Sequence, residues 1–261
     1  MHTEDFIIDL FCRIDDQMKD VPKHSQSKLY PSELVTVGVL HALKGVGQRA
    51  FYRWLTNNYR HLFPSVPDRT RLFRRLKTHQ DWTGRFLADP TVLGVADTYG
   101  IELLHPIREG RTPSQIGKKG KSNHRWIVGG KLGFVLNKLG LVTNWDCATA
   151  NVHDSHFQPL VARWNGQMIV LTDTGFHAHA GDPPNMKICQ RGTWNVRMVI
   201  ETVLSMLTRV CHFKHMAHRV WEYFAAHLAF AMAAFNLLVQ WHGLTPDERG
   251  FVHLSIAQFS L

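Results

Sequence analysis

Apolar positions in the first ninety residues recur at helical spacing. Phe6, Ile7, Leu10, Phe11 and Ile14 make one such face, and Phe51, Trp54, Leu55 and Tyr59 make another. Pro31-Ser32-Glu33, just ahead of the apolar run 34–43, marks a helix start with Ser32 as its cap. Gly45-Val46-Gly47 and the segment 64–67 interrupt the pattern. Residues 69–77 then set Arg69, Arg71, Arg74, Arg75 and Lys77 around an apolar seam of Leu72, Phe73 and Leu76. An isolated charge run is ordinarily a solvated helix face. Its single sign makes phosphate contact through Arg71, Arg74 and Arg75 an equal reading.

From residue 91 the texture changes. The apolar run 92–96 ends at Asp97, and the run 168–172 ends at Asp173; both read as buried strands. Segments 126–136 and 141–148 flank Asn137-Lys138-Leu139-Gly140 and predict a hairpin with a four-residue turn. Residues 154–164 predict a helix. Asp154 is expected to be its N-cap, with support of a nearby site as the alternative. Residues 195–209 carry the stripe Val196, Val199, Ile200, Val203, Leu204 and Leu207, a strongly periodic helix. This order predicts a mixed α/β sheet rather than an all-parallel one. Two regions follow: helical residues 1–90, and α/β residues 91–261 with C-terminal helices over 216–241.

Composition adds a partner. The 261 residues carry 30 Lys+Arg against 21 Asp+Glu, a formal charge of +9, with a pI near 9.6. That balance points to a polyanion, most simply nucleic acid. Eight of the cations (Arg108, Arg111, Lys118, Lys119, Lys121, Arg125, Lys131 and Lys138) fall in residues 108–138, against the single acid Glu109. Within that stretch 117–121 reads as a flexible basic loop. The 44% apolar content excludes a disordered chain. Four scattered cysteines predict reduced thiols inside a cell. Glu4 and Asp5 stand where a signal peptide would be basic, and the apolar run 223–239 is shorter than the roughly 20 residues of a membrane span. A cytoplasmic, nucleoid-associated protein with no membrane partner is the expectation.

Three carboxylates carry the candidate chemistry. Asp97 and Asp173 end their strands, where α/β sheets place their sites. Glu201 shares a row with Arg197 and Thr208 along the margin of the helical stripe, placed to point from a packed helix towards strand ends. Converging carboxylates repel unless cations hold them. Hard oxygen ligands suit Mg²⁺ or Mn²⁺, and a pair of such ions can activate an attacking oxygen and stabilise the leaving one at a phosphodiester. The bland alternatives are turn-capping aspartates and a plain Arg197–Glu201 ion pair.

The set resembles the DDE-type insertion-sequence transposases, whose catalytic core is RNase H-like. Trp194, Arg197 and Glu201 match three anchors of the family's signature of aromatic, two residues, Arg, three residues, Glu, six residues, Lys. Trp replaces the usual Tyr, and the Lys position holds Thr208, with Arg209 beside it. Thr172-Asp173-Thr174-Gly175-Phe176 matches the second block, Ala96-Asp97-Thr98 the first, and Ala150-Asn151-Val152-His153-Asp154 also looks like the family. The resemblance covers residues 6–244, most specifically from Asp97 onward, and the short interval from Asp173 to Glu201 leaves no room for the large insertion some relatives carry. It implies an RNase H-like mixed sheet flanked by helices, with an N-terminal helical DNA-binding region. By this resemblance Asp97, Asp173 and Glu201 would be the catalytic metal ligands, holding two Mg²⁺ or Mn²⁺ ions. Double-stranded DNA, both transposon ends and target, would be the substrate of a homodimer or larger assembly.

DNA contacts are then expected from Arg71, Arg74, Arg75, Lys118, Lys119, Lys121, Arg125, Arg197 and Arg209, with Trp194 bracing its helix. His153 and His177 adjoin the family blocks and are candidates to line the cleft. Seventeen histidines raise zinc, but neither His177, His179 and Cys189 nor Cys211, His212, His215 and His218 has structural-zinc spacing. There is no nucleophile elbow, phosphate loop or dinucleotide fingerprint. Two other functions remain open: a non-catalytic DNA-binding protein of transposase ancestry, and a metal-dependent nuclease that never joins strands.

Overall fold

The computed structural model describes residues 2–122, 125–189, 197–213, 216, 218–245 and 254–259. Four helices open the chain: α1 (Thr3–Gln17), α2 (Pro31–Lys44), α3 (Gln48–Asn58) and α4 (Arg69–Thr78), followed by a 3-10 segment, Gln80–Phe86. The periodic residues Phe6, Ile7, Leu10 and Ile14 of α1 are buried, as are Leu72, Phe73 and Leu76 of α4. Ser32 is not the cap expected of it. It lies buried in the first turn of α2, and the Glu33 carboxylate caps instead by accepting from the Tyr30 N–H at 2.6 Å. Pro31 explains the displacement: its fixed φ and missing N–H suit the first helical position, which moves the boundary back to Tyr30.

Six strands form one curled mixed sheet: β1 (Leu93–Leu104), β2 (Lys118–Ser122), β3 (Arg125–Asn137), β4 (Val142–Thr149), β5 (Ile169–Thr172) and β6 (Met186–Ile188). β3 runs antiparallel to β1 along one edge. Its other edge is shared, first by β2 and then by β4, both antiparallel. β5 lies parallel to β1 and β6 parallel to β5. The predicted hairpin joins β3 to β4: the Asn137 N–H donates to Leu141 O at 2.9 Å, and Gly140 takes the left-handed conformation, φ 77°, that closes the turn.

Two sequence expectations change here. Residues 118–122 are a strand and not a loop, because β3 extends past the end of β4 and offers unpaired backbone groups for β2 to satisfy. Asp97 does not end its strand, since pairing with β3 carries β1 on to Leu104. What ends near Asp97 is the parallel pairing with β5, last made at Val95 and Leu171.

Both faces of the sheet are covered. On one lie Ala96, Val135, Phe157, Val161, Val170 and Phe176, over α5 (Gln158–Ala162). The expected helix 154–164 is a 3-10 turn, Asp154–Phe157, running into α5, with Pro159 at the start of α5. On the other face Leu132, Phe134 and Leu136 join a core that also holds α6 (Arg197–Arg209), α7 (Trp221–His242) and the N-terminal helices. α7 is apolar nearly all round, as a helix enclosed by protein must be, and is buried from Ala226 to Val239. It packs chiefly on α2, α4 and the 80–86 segment. Its fully buried Asn236 accepts from the Val142 N–H and donates to the carbonyls of Val142 and Phe86. That one amide ties α7 to the start of β4 and to the end of the N-terminal region.

Candidate functional site

Strand alternation sorts the site residues. Asp97 pairs in register with Phe134 and so shares the α6–α7 face of the sheet, while Thr98 pairs with Gly133 and shares the α5 face. On β5, the register Val95–Leu171 carried two residues onward sets Asp173 level with Asp97. Asp173 is exposed at the tip, and Asp97 is half-buried beside it. Each is held locally. Asp97 Oδ1 accepts from the Thr98 N–H at 2.7 Å, and Asp173 Oδ1 accepts from the Gly175 N–H at 2.9 Å, capping the 3-10 turn Thr174–Phe176.

Behind this pair stands a charge cluster that spacing alone did not reveal. Asp154 is not an N-cap, because the His153 ring takes that place and accepts from the Ser155 N–H at 3.4 Å. Asp154 Oδ1 turns to the sheet and accepts from Thr98 Oγ1 at 2.9 Å and from Lys131 Nζ at 2.8 Å. Lys131 Nζ also donates to Val152 O at 2.7 Å. Lys131, counted above among the cations of 108–138, is only 9% exposed; it serves the interior and not a polyanion. The legible signal was a lysine inside a strand apolar on both faces, which requires a buried partner.

Asp154 and Asp173 also approach each other. A Cβ placed on Gly175 would lie 2.8 Å from Asp154 Oδ2 and 3.1 Å from Asp173 Oδ1, so the two oxygens are no further apart than those distances combined. On the rim, the exposed His177 ring meets Asp182 at 2.8 Å. That hydrogen bond, with another from the Ala178 N–H, holds the Asp182 carboxyl below its ordinary range. His153 is likewise exposed, bonded to Ser155 Oγ.

Glu201 lies elsewhere. It is exposed on α6 and opens onto a groove of about 860 Å³ between that helix and the outer half of β1. Tyr99 and Glu102 form the β1 wall, with His105 just past it; Ser205, Thr208 and Arg209 extend the α6 wall; Arg125 also lines the groove. Register therefore sets Asp97 level with Asp173, and Glu201 shares its groove with Arg125 and Arg209. Among the described residues no group of three His, Cys, Asp or Glu side chains is placed to hold one metal ion.

The expected cations divide similarly. Lys118, Lys119 and Lys121 project from β2, whose Gly120 faces inward opposite the buried Ile127. With Arg125, paired in register with Ser122, they make β2 and the adjoining start of β3 basic. Lys119 meets Glu109 at 2.9 Å and Arg125 meets Glu102 at 3.9 Å. Arg71 and Arg74 are exposed on α4, while Arg75 is half-buried and donates to Ser27 Oγ at 3.3 Å. Arg197 opens α6, and Trp194 and His215 lie outside the described residues. Chemically, the arrangement offers two hard-oxygen ligands, Asp97 within β1 and Asp173 just past β5, and a groove lined in part by Arg125 and Arg209. No family model and no curated protein matches this chain.

Proposed function

We propose that this chain is a DDE-type transposase, cutting DNA at the ends of a mobile element and joining the freed 3′ ends to target DNA. The observation that carries the reading is the level placement of Asp97, within β1, and Asp173, just past the end of the parallel strand β5, beside a groove walled by the helix that bears Glu201. The sheet supports it: an antiparallel set with two parallel strands added beyond β1 is consistent with an RNase H-like core. The motif matches around Asp97, Asp173 and Glu201, in that order, support it as well.

Magnesium and manganese fit the strand tip on donor chemistry, since Mg²⁺ commonly takes one or two carboxylates and completes its shell with water and phosphate oxygens. Asp97, Asp173 and Glu201 would be the residues that hold two such ions, which when bound would lower the pKa of an attacking water and offset charge on the phosphate. The chain's own contribution is placement. Strand pairing fixes the two aspartates; Arg125 and Arg209 attract a phosphate backbone into the groove; Lys118, Lys119 and Lys121 extend that attraction along β2. In this reading the N-terminal helices, with Arg71 and Arg74 exposed on α4, are a DNA-binding region, and bridging two element ends calls for a dimer or larger assembly.

Asp97→Asn and Glu201→Gln should each abolish Mg²⁺-dependent nicking of end-sequence DNA while leaving DNA binding within about twofold. Cleavage near the wild-type rate in either variant would overturn the assignment. The placement of Glu201 on a separate groove wall favours, as second reading, a non-catalytic DNA-binding protein of the same ancestry, which nicks nothing in Mg²⁺. A nuclease would nick but form no joined product in a strand-transfer assay.

A further inference from the structure

We infer that Asp154, braced by Lys131 and Thr98, is a positioning residue that sets the Asp97–Asp173 pair for a divalent ion. The inference rests on the reading of those two aspartates as ion ligands. Burying an ammonium group costs several kcal/mol before its partners repay it, and an apolar side chain at the same place is often as stabilising. Lys131 is therefore weakly explained by stability alone. Its contacts have a direction: Nζ spans Val152 O and Asp154 Oδ1, and Thr98 Oγ1 donates to that same Oδ1. With Oδ1 engaged twice, the carboxylate is fixed in rotation and its Oδ2 faces Gly175 and Asp173.

The two ends of the cluster reach the two aspartates by different routes. Thr98 projects to the opposite face of β1 from Asp97, yet its N–H donates to Asp97 Oδ1. Pinning the Thr98 hydroxyl thus pins the backbone donor that orients Asp97. At the other end Gly175 donates to Asp173 Oδ1, and its lack of a side chain lets Asp154 Oδ2 stand close by. Neutralising Asp154 would free both braces.

The test is Mn²⁺ titrated calorimetrically into the full chain without DNA, at a temperature where circular dichroism shows each variant native. Asp154→Asn should weaken Mn²⁺ binding by about tenfold or more, the usual cost of losing a partner that orients metal ligands. Thr98→Val should weaken it and Thr98→Ser should restore it, which decides the matter even where Asp154→Asn does not fold. A purely structural brace would lower the melting temperature and leave Mn²⁺ affinity unchanged, and that result overturns the inference. Wild-type binding lost in Asp97→Asn but kept in Asp154→Asn overturns this inference alone. Absence of Mn²⁺ binding in the wild type overturns it together with the reading beneath it.

Discussion

Histidines meet where the N-terminal helices pack on α7, and their burial makes stability depend on pH in a calculable way. His41 of α2 and His227 of α7 face each other with their Nδ1 atoms 3.3 Å apart, and the His218 ring lies 5.0 Å from that of His227. All three line a cavity of about 360 Å³ together with His212 and Arg219. Desolvation, with the field of the neighbouring His218, pushes His41 down to about 3. Burial takes His218 down to about 4, and burial with the other imidazoles takes His227 well below its ordinary value. In the unfolded chain each titrates near 6.5. As pH falls through that value the unfolded state takes up protons that the native state refuses, so stability declines with acidification towards pH 4. From pH 7.5 to 5.5 each buried imidazole removes a little over ~1 kcal/mol, so His41, His218 and His227 together remove about 4 kcal/mol. Asp20 and Asp182, both lowered by their partners, lose their stabilising effect only below about pH 4 and stay outside this window. Urea unfolding followed by circular dichroism should show the midpoint falling by roughly 1 M over those two pH units, for an m-value of about 3 kcal/mol/M. His41→Phe/His227→Leu should flatten the slope whatever it does to absolute stability. A wild-type midpoint that is constant, or higher at pH 5.5, would refute the argument.

Two other outcomes follow from particular contacts. Asn236→Leu leaves the Val142 N–H and the Phe86 carbonyl buried without their partner, while the Val142 carbonyl keeps the Ala88 N–H; thermal unfolding should register a loss of about 2–4 kcal/mol, and a loss under about 1 kcal/mol would mean that water replaces the amide. Replacing Lys118, Lys119 and Lys121 together by Gln should reduce the slope of log K against log[salt] for duplex DNA by about 2 to 3. An unchanged slope, read by fluorescence anisotropy, would remove the β2 ribbon from the DNA path.

Local structure was largely legible. The periodic faces of α1 and α4, the hairpin at Asn137–Gly140 and the strand ending before Asp173 each depend on residues within a dozen positions of one another, and there propensity and pattern act directly. β2 was not legible, because nothing in Lys118–Ser122 favours a strand; the open edge of β3 makes it one. The length of β1 past Asp97 has the same origin.

Of the site, the sequence by itself determined which groups are available: two aspartates after buried apolar runs, a glutamate on an amphipathic helix, and an excess of cations. Tertiary structure decided their company. It set Asp97 level with Asp173, put Glu201 on a separate groove wall, and turned Lys131 and Asp154 from a presumed surface cation and a presumed cap into a buried pair. The reason is physical. A hydrogen-bonding pattern within one helix or turn is set by neighbours in the chain, whereas the partner of a buried charge is whatever side chain the folded sheet brings within 3 Å of it.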